Sequence, residues 1–337
     1  MPIWNGSDNI DTILGILSYV PMTSFHDASN TYIAPAERAL AHQGIEAYAK
    51  ILDFYTALLQ HQICLISSQQ PGSNGSANQV INGLSNHVAT LSISLLLSAG
   101  PTHSNTLTSP ILSFYELLST SSQAPPNVLP SIPITLPPIH LVYLLAQCPS
   151  STTLSRICGI LGAYKQAFDT HPKPVSRYYA EHVTSTFNIC LRDMYNTLWV
   201  SKGLIAAEGK SVGLFCAPAL RATLHEYLRG VDRSYAVDSA FGLSNNAWTA
   251  SLSAAAWRAL EQGVVEREGR DRETVVHHQG PVSKASLEQL KTRGGVSVDW
   301  DGPRGYKVHV LRWMEERGLG GLKDLMFAIA TNLRGKA

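Results

Sequence analysis

Gly209-Lys210-Ser211-Val212-Gly213 has the most recognisable chemical spacing in the sequence. Glycines two places either side of a serine, G-x-S-x-G, permit the sharp strand-to-helix turn that thrusts a nucleophilic hydroxyl outward in hydrolases. Such a turn needs a buried strand before it. Residues 194–207 carry a helical pattern instead, so the glycines read as a loop between helices, and a serine hydrolase acting through Ser211 is the alternative reading. The same residues approach the phosphate loop G-x-x-x-x-G-K-[ST], whose backbone amides cradle phosphates. That loop requires glycine at position 204, which is Leu204, with Gly203 one place off. His277-His278 could suggest a metal, but neighbouring residues seldom face one ion, and no HExxH spacing accompanies them. They read as an exposed linker, and residues 266–273 (EREGRDRE) as the solvated end of a helix. No catalytic, cofactor-binding or metal-binding residue is therefore assigned.

The elements that would have to position such chemistry are helical. Ile45, Tyr48, Leu52, Tyr55, Leu59 and Ile63 recur at three- and four-residue intervals, and Ile51, Phe54 and Leu58 line a second face. A helix apolar on two faces belongs between layers. Further helices are predicted over residues 79–97, 107–120, 139–148, 152–170, 175–201, 217–229, 234–241, 247–266, 282–293, 310–317 and 322–333. Proline recurs too often in residues 124–138 (APPNVLPSIPITLPP) for a helix, leaving a stiff linker or a strap. Only one segment reads as β: Val296, Val298 and Trp300 alternate, Asp301-Gly302-Pro303-Arg304-Gly305 supplies a turn, and Tyr306, Val308 and Val310 alternate again. A helix with a hairpin resembles a winged helix, but Arg304 and Lys307 are too few cations for a DNA-reading wing, so a structural cap is expected. The fold class is all-α: an irregular α-solenoid of HEAT-like helix pairs with one small β-hairpin near the C-terminus. Its segments are residues 1–123, charge-poor and helical; 124–138, the proline-rich linker; 139–279, helical; and 280–337, a helix-hairpin-helix cap.

Composition narrows the function. Among 337 residues only 15% are charged, against about 25% in ordinary globular proteins, while 45% are apolar, enough for a core without disulfide or metal staples. The first 150 residues hold two cations, Arg38 and Lys50, against seven acids, and the remainder is net +6. Between Asp53 and Glu116 no formal charge occurs. Either such a stretch is covered by a partner, since interface cores are depleted of charge, or neutral polar groups alone keep it wet. Excess positive charge in the second half is too dilute to argue for direct DNA contact. Five scattered cysteines, Cys64, Cys148, Cys158, Cys190 and Cys216, read as reduced thiols of a cytosolic or nuclear protein. The first twenty residues hold Asp8 and Asp11 and no basic n-region, so no secretory signal is expected. The most apolar windows, residues 87–100 and 139–148, fall short of the about 20 residues a bilayer requires. Trp199, Trp248, Trp257, Trp300 and Trp313, with Tyr178, Tyr179 and Tyr195, enrich the second half and are read mainly as core.

Several strings carry a family resemblance. Residues 32–40 (YIAPAERAL), 45–59 (IEAYAKILDFYTALL), 154–175 (LSRICGILGAYKQAFDTHPKPV), 188–204 (NICLRDMYNTLWVSKGL), 241–261 and 280–327 resemble the fungal centromere protein I (CENP-I) family. The resemblance implies a non-enzymatic subunit of the inner kinetochore, in the constitutive centromere-associated network of the nucleus. It also implies a HEAT-like solenoid that binds the coiled-coil pair of centromere proteins H and K, with no small-molecule substrate, cofactor or membrane. By length the chain is similar to the carboxyl-terminal portion of that family only.

Overall fold

In a computed structural model, which describes residues 4, 6, 8–68, 75–204, 214, 216–231, 233, 236–279, 282–298 and 305–330, the helical periods of the sequence become helices. The chain divides into two compact units, Met1–Ala180 and Glu181–Ala337, which places the proline-rich segment inside the first.

The first unit contains α1 (Ile10–Ser18), α2 (Phe25–Ala28), α3 (Ala34–Leu40), α4 (Ile45–Ser67), α5 (Gly75–Ser98), α6 (Gly100–Ser121), α7 (Ile139–Ala146) and α8 (Ser151–Thr170). α4 packs against α1, α3, α5 and α6, burying Ile51, Leu52 and Leu59 along with Phe54 and Leu58. Burial on two faces is what its two apolar rows require. Next in the row comes α6, which adjoins α4 and α8, while α5 adjoins α2, α4, α6 and α7. Helix α5 includes a 21-residue span, Asn78–Ser98, with an 18-residue window of mean hydropathy 1.4, long and apolar enough by length and composition to cross a membrane. This corrects the shorter window expected from sequence. Val80, Ile81, Leu84 and Val88 in it are buried within the unit.

Polar side chains lock these helices together at two places. At the junction of α3, α4 and α5, Tyr55 Oη donates to Glu37 Oε1 at 2.5 Å, and His87 Nε2 lies 2.9 Å from the same oxygen. Between α6 and α8, Arg156 clasps both oxygens of Glu116 at 2.7 and 2.8 Å and also reaches Ser109 and Ser113. Two-pronged pairing fixes the register of the two helices as well as attracting them. Burial pushes the Glu37 carboxyl up, but hydrogen bonds from His87 and Tyr55, with the His87 charge, outweigh it and hold the group below its ordinary range. A depressed carboxyl stabilises the fold above its unfolded pKa of about 4.3 and loses that contribution as pH falls through the folded value. Unfolding titrations should show this acid-side loss in the parent and a shallower one in Glu37→Gln; identical slopes would remove the assignment.

Residues 124–138 form a strap. Prolines leave it few amide donors and many carbonyls, and buried carbonyls need partners. Tyr164 Oη donates to the Thr135 carbonyl at 2.8 Å, Ser122 Oγ donates to the Pro133 carbonyl at 3.2 Å, and Tyr179 Oη accepts from the Ile134 amide at 3.0 Å. Ile132 and Ile134 are buried beneath it. Tyr164→Phe should cost about 1–3 kcal/mol in chemical denaturation, because it strands a buried carbonyl. A change within a few tenths would show that the strap does not depend on this bond.

The second unit contains α9 (Glu181–Tyr195), α10 (Pro218–Val231), α11 (Val237–Ala240), α12 (Ala250–Glu268), α13 (Lys284–Thr292), α14 (Gly305–Glu315) and α15 (Gly320–Ile329). α14 packs on α12 and α15, and α15 on α9. Trp257, Val310, Leu311, Met314, Leu322 and Leu325 are buried in this unit. Where α12 ends, Gly269 takes the left-handed conformation at φ 62° that a C-terminal cap needs. Beyond it Val275 and Val296 close with Val264 and Val265 into a small apolar cluster.

The predicted hairpin is not there. Tyr306, Val308 and Val310 are helical residues of α14, as is Gly305 of the expected turn, and Trp300 and residues 301–304 lie outside the described residues. Among the described residues there is no strand, and the one β contact is an isolated parallel bridge between Val276 and Gly295. Backbones approach closely at that bridge: a Cβ on Gly295 would sit 2.4 Å from Leu290 Cγ and 2.8 Å from the Val276 carbonyl oxygen. α9 also starts later than the predicted residue 175. A single 3-10 turn spans Val175–Arg177, and Tyr178 and Tyr179 turn back to meet the His171 ring edge-on.

Candidate functional site

Ser211 and its flanking glycines lie outside the described residues, and no strand among the described residues precedes them. The described titratable side chains that gather beside cavities belong instead to α12, α13 and the extended segment 276–279. Sequence placed His277 and His278 in an exposed linker; the structure ties them to two helices. His277 Nδ1 lies 2.7 Å from Glu261 Oε2 on α12, and His278 Nε2 lies 2.7 Å from Ser286 Oγ on α13.

A carboxylate, two imidazoles and a serine include every member type of a hydrolytic triad, so the wiring decides. In a triad one imidazole must receive the serine proton while the carboxylate holds its other nitrogen. Here the two bonds fall on different histidines. The carboxylate holds His277, while the serine meets His278. Ser286 is also the third residue of a capping box: its Oγ accepts from the Ser283 amide at 2.8 Å and lies 2.9 Å from the Ser283 carbonyl, to which it donates. With its single proton engaged there, the hydroxyl accepts from His278 rather than surrendering a proton to it. Burial lowers the His278 pKa, and nearby Glu261 works in the opposite direction. Glu261 is almost wholly buried, and its second oxygen, Oε1, has no hydrogen-bond partner among the described residues. No group of three or more His, Cys, Asp or Glu among the described residues is arranged to hold a metal ion. What this cluster does is pin segment 276–279 between α12 and α13.

A second candidate is a surface. Helix α10 has fourteen residues and no buried side chain. Leu220, Tyr227 and Val231 are 57%, 69% and 64% exposed, and half-buried Leu224 and Leu228 lie beside them. Positions 220, 224, 227 and 231 are spaced four, three and four apart, the interval of a coiled-coil seam. At 100° per residue they fall within a stripe of about 60°, with Arg229 and His225 on the far side. Arg221 anchors the helix, donating to Asp238 and to the Leu204 carbonyl, both at 2.5 Å.

The charge-poor first half was expected to supply the partner surface. Among the described residues between 45 and 118 the large apolar side chains that stand exposed are Leu65 and Leu97, 43% and 68%. Most of that stretch uses its apolar residues to pack α4, α5 and α6 against one another. Cationic candidates for DNA contact fare no better: Lys307 donates to the Trp199 carbonyl and lies 5.3 Å from the Trp199 ring centre. Trp199 and Trp257 are core, as expected, whereas Trp313 is half-buried beneath the Arg317 guanidinium at 3.5 Å. Sequence reasoning missed the Glu261–His277 pair because its members are sixteen residues apart with no periodic signal between them. No protein-family model matches the chain, and no curated protein matches it.

Proposed function

We propose that this chain is a non-enzymatic helical scaffold that receives an amphipathic helix of a coiled-coil partner, and that it serves as a subunit of the inner kinetochore. The observation that carries the scaffold reading is α10: a helix with no buried side chain, bearing an apolar seam at coiled-coil spacing. Monomeric proteins seldom leave such a stripe to water, and helix-in-groove or helix-on-helix recognition uses this row of anchors. The kinetochore assignment, with centromere proteins H and K as the coiled-coil partners and the nucleus as the site of action, rests on the strings that resemble the CENP-I family. An irregular solenoid is the finer reading of the fold, supported by the side-by-side order of α4, α6 and α8 with α5 and α7 adjoining them.

Co-expression of the full chain with centromere proteins H and K tests both parts. Stoichiometric co-purification through size exclusion is the expected result. Capture of unrelated parallel coiled coils with the same affinity would keep the scaffold and remove the kinetochore assignment, and failure to retain any coiled coil would remove both.

A further inference from the structure

Segment 276–279 separates two cavities whose chemistry differs. One, about 290 Å³, contains the buried carboxylate of Glu261 with Arg258 and Gln262. The other, about 170 Å³, lies against α13 and has no carboxylate among its described lining residues. Its polar groups are His277, His278, Gln279, Ser286, Gln289 and Arg293. Ser286, Gln289 and Arg293 follow one another at three and four residues, so α13 and its C-terminal cap present them from one face. The guanidinium of Arg293 has no ion-pair or hydrogen-bond partner among the described residues. His277 has its Nδ1 occupied by Glu261, which leaves Nε2 as the free polar edge of that ring.

We propose that this smaller cavity is a binding site for a phosphoryl oxyanion. An unpaired guanidinium offers a planar fork of donors matched to two oxygens of a phosphate. The carboxamides of Gln279 and Gln289 add N–H donors from other directions, which suits a tetrahedral anion better than a planar one. No acid stands among the described lining residues to compete for Arg293, and the Glu261 carboxylate, which lines the other cavity, is engaged by His277. The volume, about 170 Å³, is enough for one phosphate group and is below the about 300–1,000 Å³ usual for drug-sized ligands. The site is independent of the α10 surface and of the kinetochore reading.

Titration calorimetry of the full chain with inorganic phosphate, at fixed ionic strength, should give saturable one-site binding. Arg293→Gln, an exposed substitution, should weaken it about tenfold or more, the worth of one charge-assisted pair, while leaving the melting temperature unchanged. Acetate should bind at least tenfold more weakly than phosphate. A phosphoserine peptide distinguishes the sources: tighter binding than inorganic phosphate assigns the site to a phosphorylated protein segment, and equal binding to free phosphate. Non-saturable binding, equal binding of acetate, or an Arg293→Gln variant that binds as the parent does would each overturn the proposal.

Discussion

Replacing Leu220 and Tyr227 together by Asp is expected to reduce capture of the coiled-coil partner about 30-fold or more without changing the melting temperature. Both side chains are more than half exposed, so the free protein loses little packing when they go. In a complex they would occupy the centre of the seam, where a buried apolar or aromatic anchor is worth about 2 kcal/mol or more. An Asp there would also have to be desolvated against an apolar partner helix with no cation to meet it. The control is Leu65→Asp with Leu97→Asp, on the first unit. If that pair abolishes capture while the α10 pair does not, the partner lies on the charge-poor first half and the α10 assignment is wrong. Competition by a synthetic peptide of residues 217–233 gives an independent reading only where the peptide is helical, so substitutions in the full chain decide.

Why α10 could be read as a helix but not as a surface is a matter of what periodicity encodes. Leu220, Leu224, Tyr227 and Leu228 define an apolar stripe in the sequence, and a stripe ordinarily means a face turned toward the core. Whether a core is present to receive it depends on the other helices, which no local pattern records. The same limit explains the missing hairpin. Tyr306, Val308 and Val310 satisfy an alternating pattern, but positions i and i+4 also share one face of a helix. Leu311 and Met314 extend the buried set to 306, 310, 311 and 314, which is helical spacing, and that longer run decides. For α4 the sustained apolar row from Ile45 to Ile63, with a second row at Ile51, Phe54 and Leu58, left one reading open. The Glu261–His277 and His278–Ser286 bonds depended on a tertiary approach of α12 and α13 to one extended segment, and composition carries no trace of it.

Phe114→Ala should be among the most damaging single substitutions in the first unit, costing about 3–5 kcal/mol. Phe114 is fully buried on α6, the helix that adjoins α4, α5 and α8, and its ring meets that of Tyr115 edge-on, 5.3 Å between centres at 84°. Truncation removes the ring's transfer free energy and leaves a cavity that three surrounding helices cannot close without moving their own side chains. Set against a total stability of about 5–15 kcal/mol, the loss is a fifth of the whole or more. Because the chain has two compact units, the effect is best read where it occurs, as hydrogen-exchange protection of the α4, α6 and α8 amides. A loss of 3 kcal/mol lowers protection about 100-fold if those helices open as one cooperative body. Leu97→Ala, on the exposed end of α5, should stay within about 0.5 kcal/mol. Protection in Phe114→Ala that falls no further than in Leu97→Ala would mean that α6 is not the centre of this packing, and that the row α4, α6, α8 does not unfold as a unit.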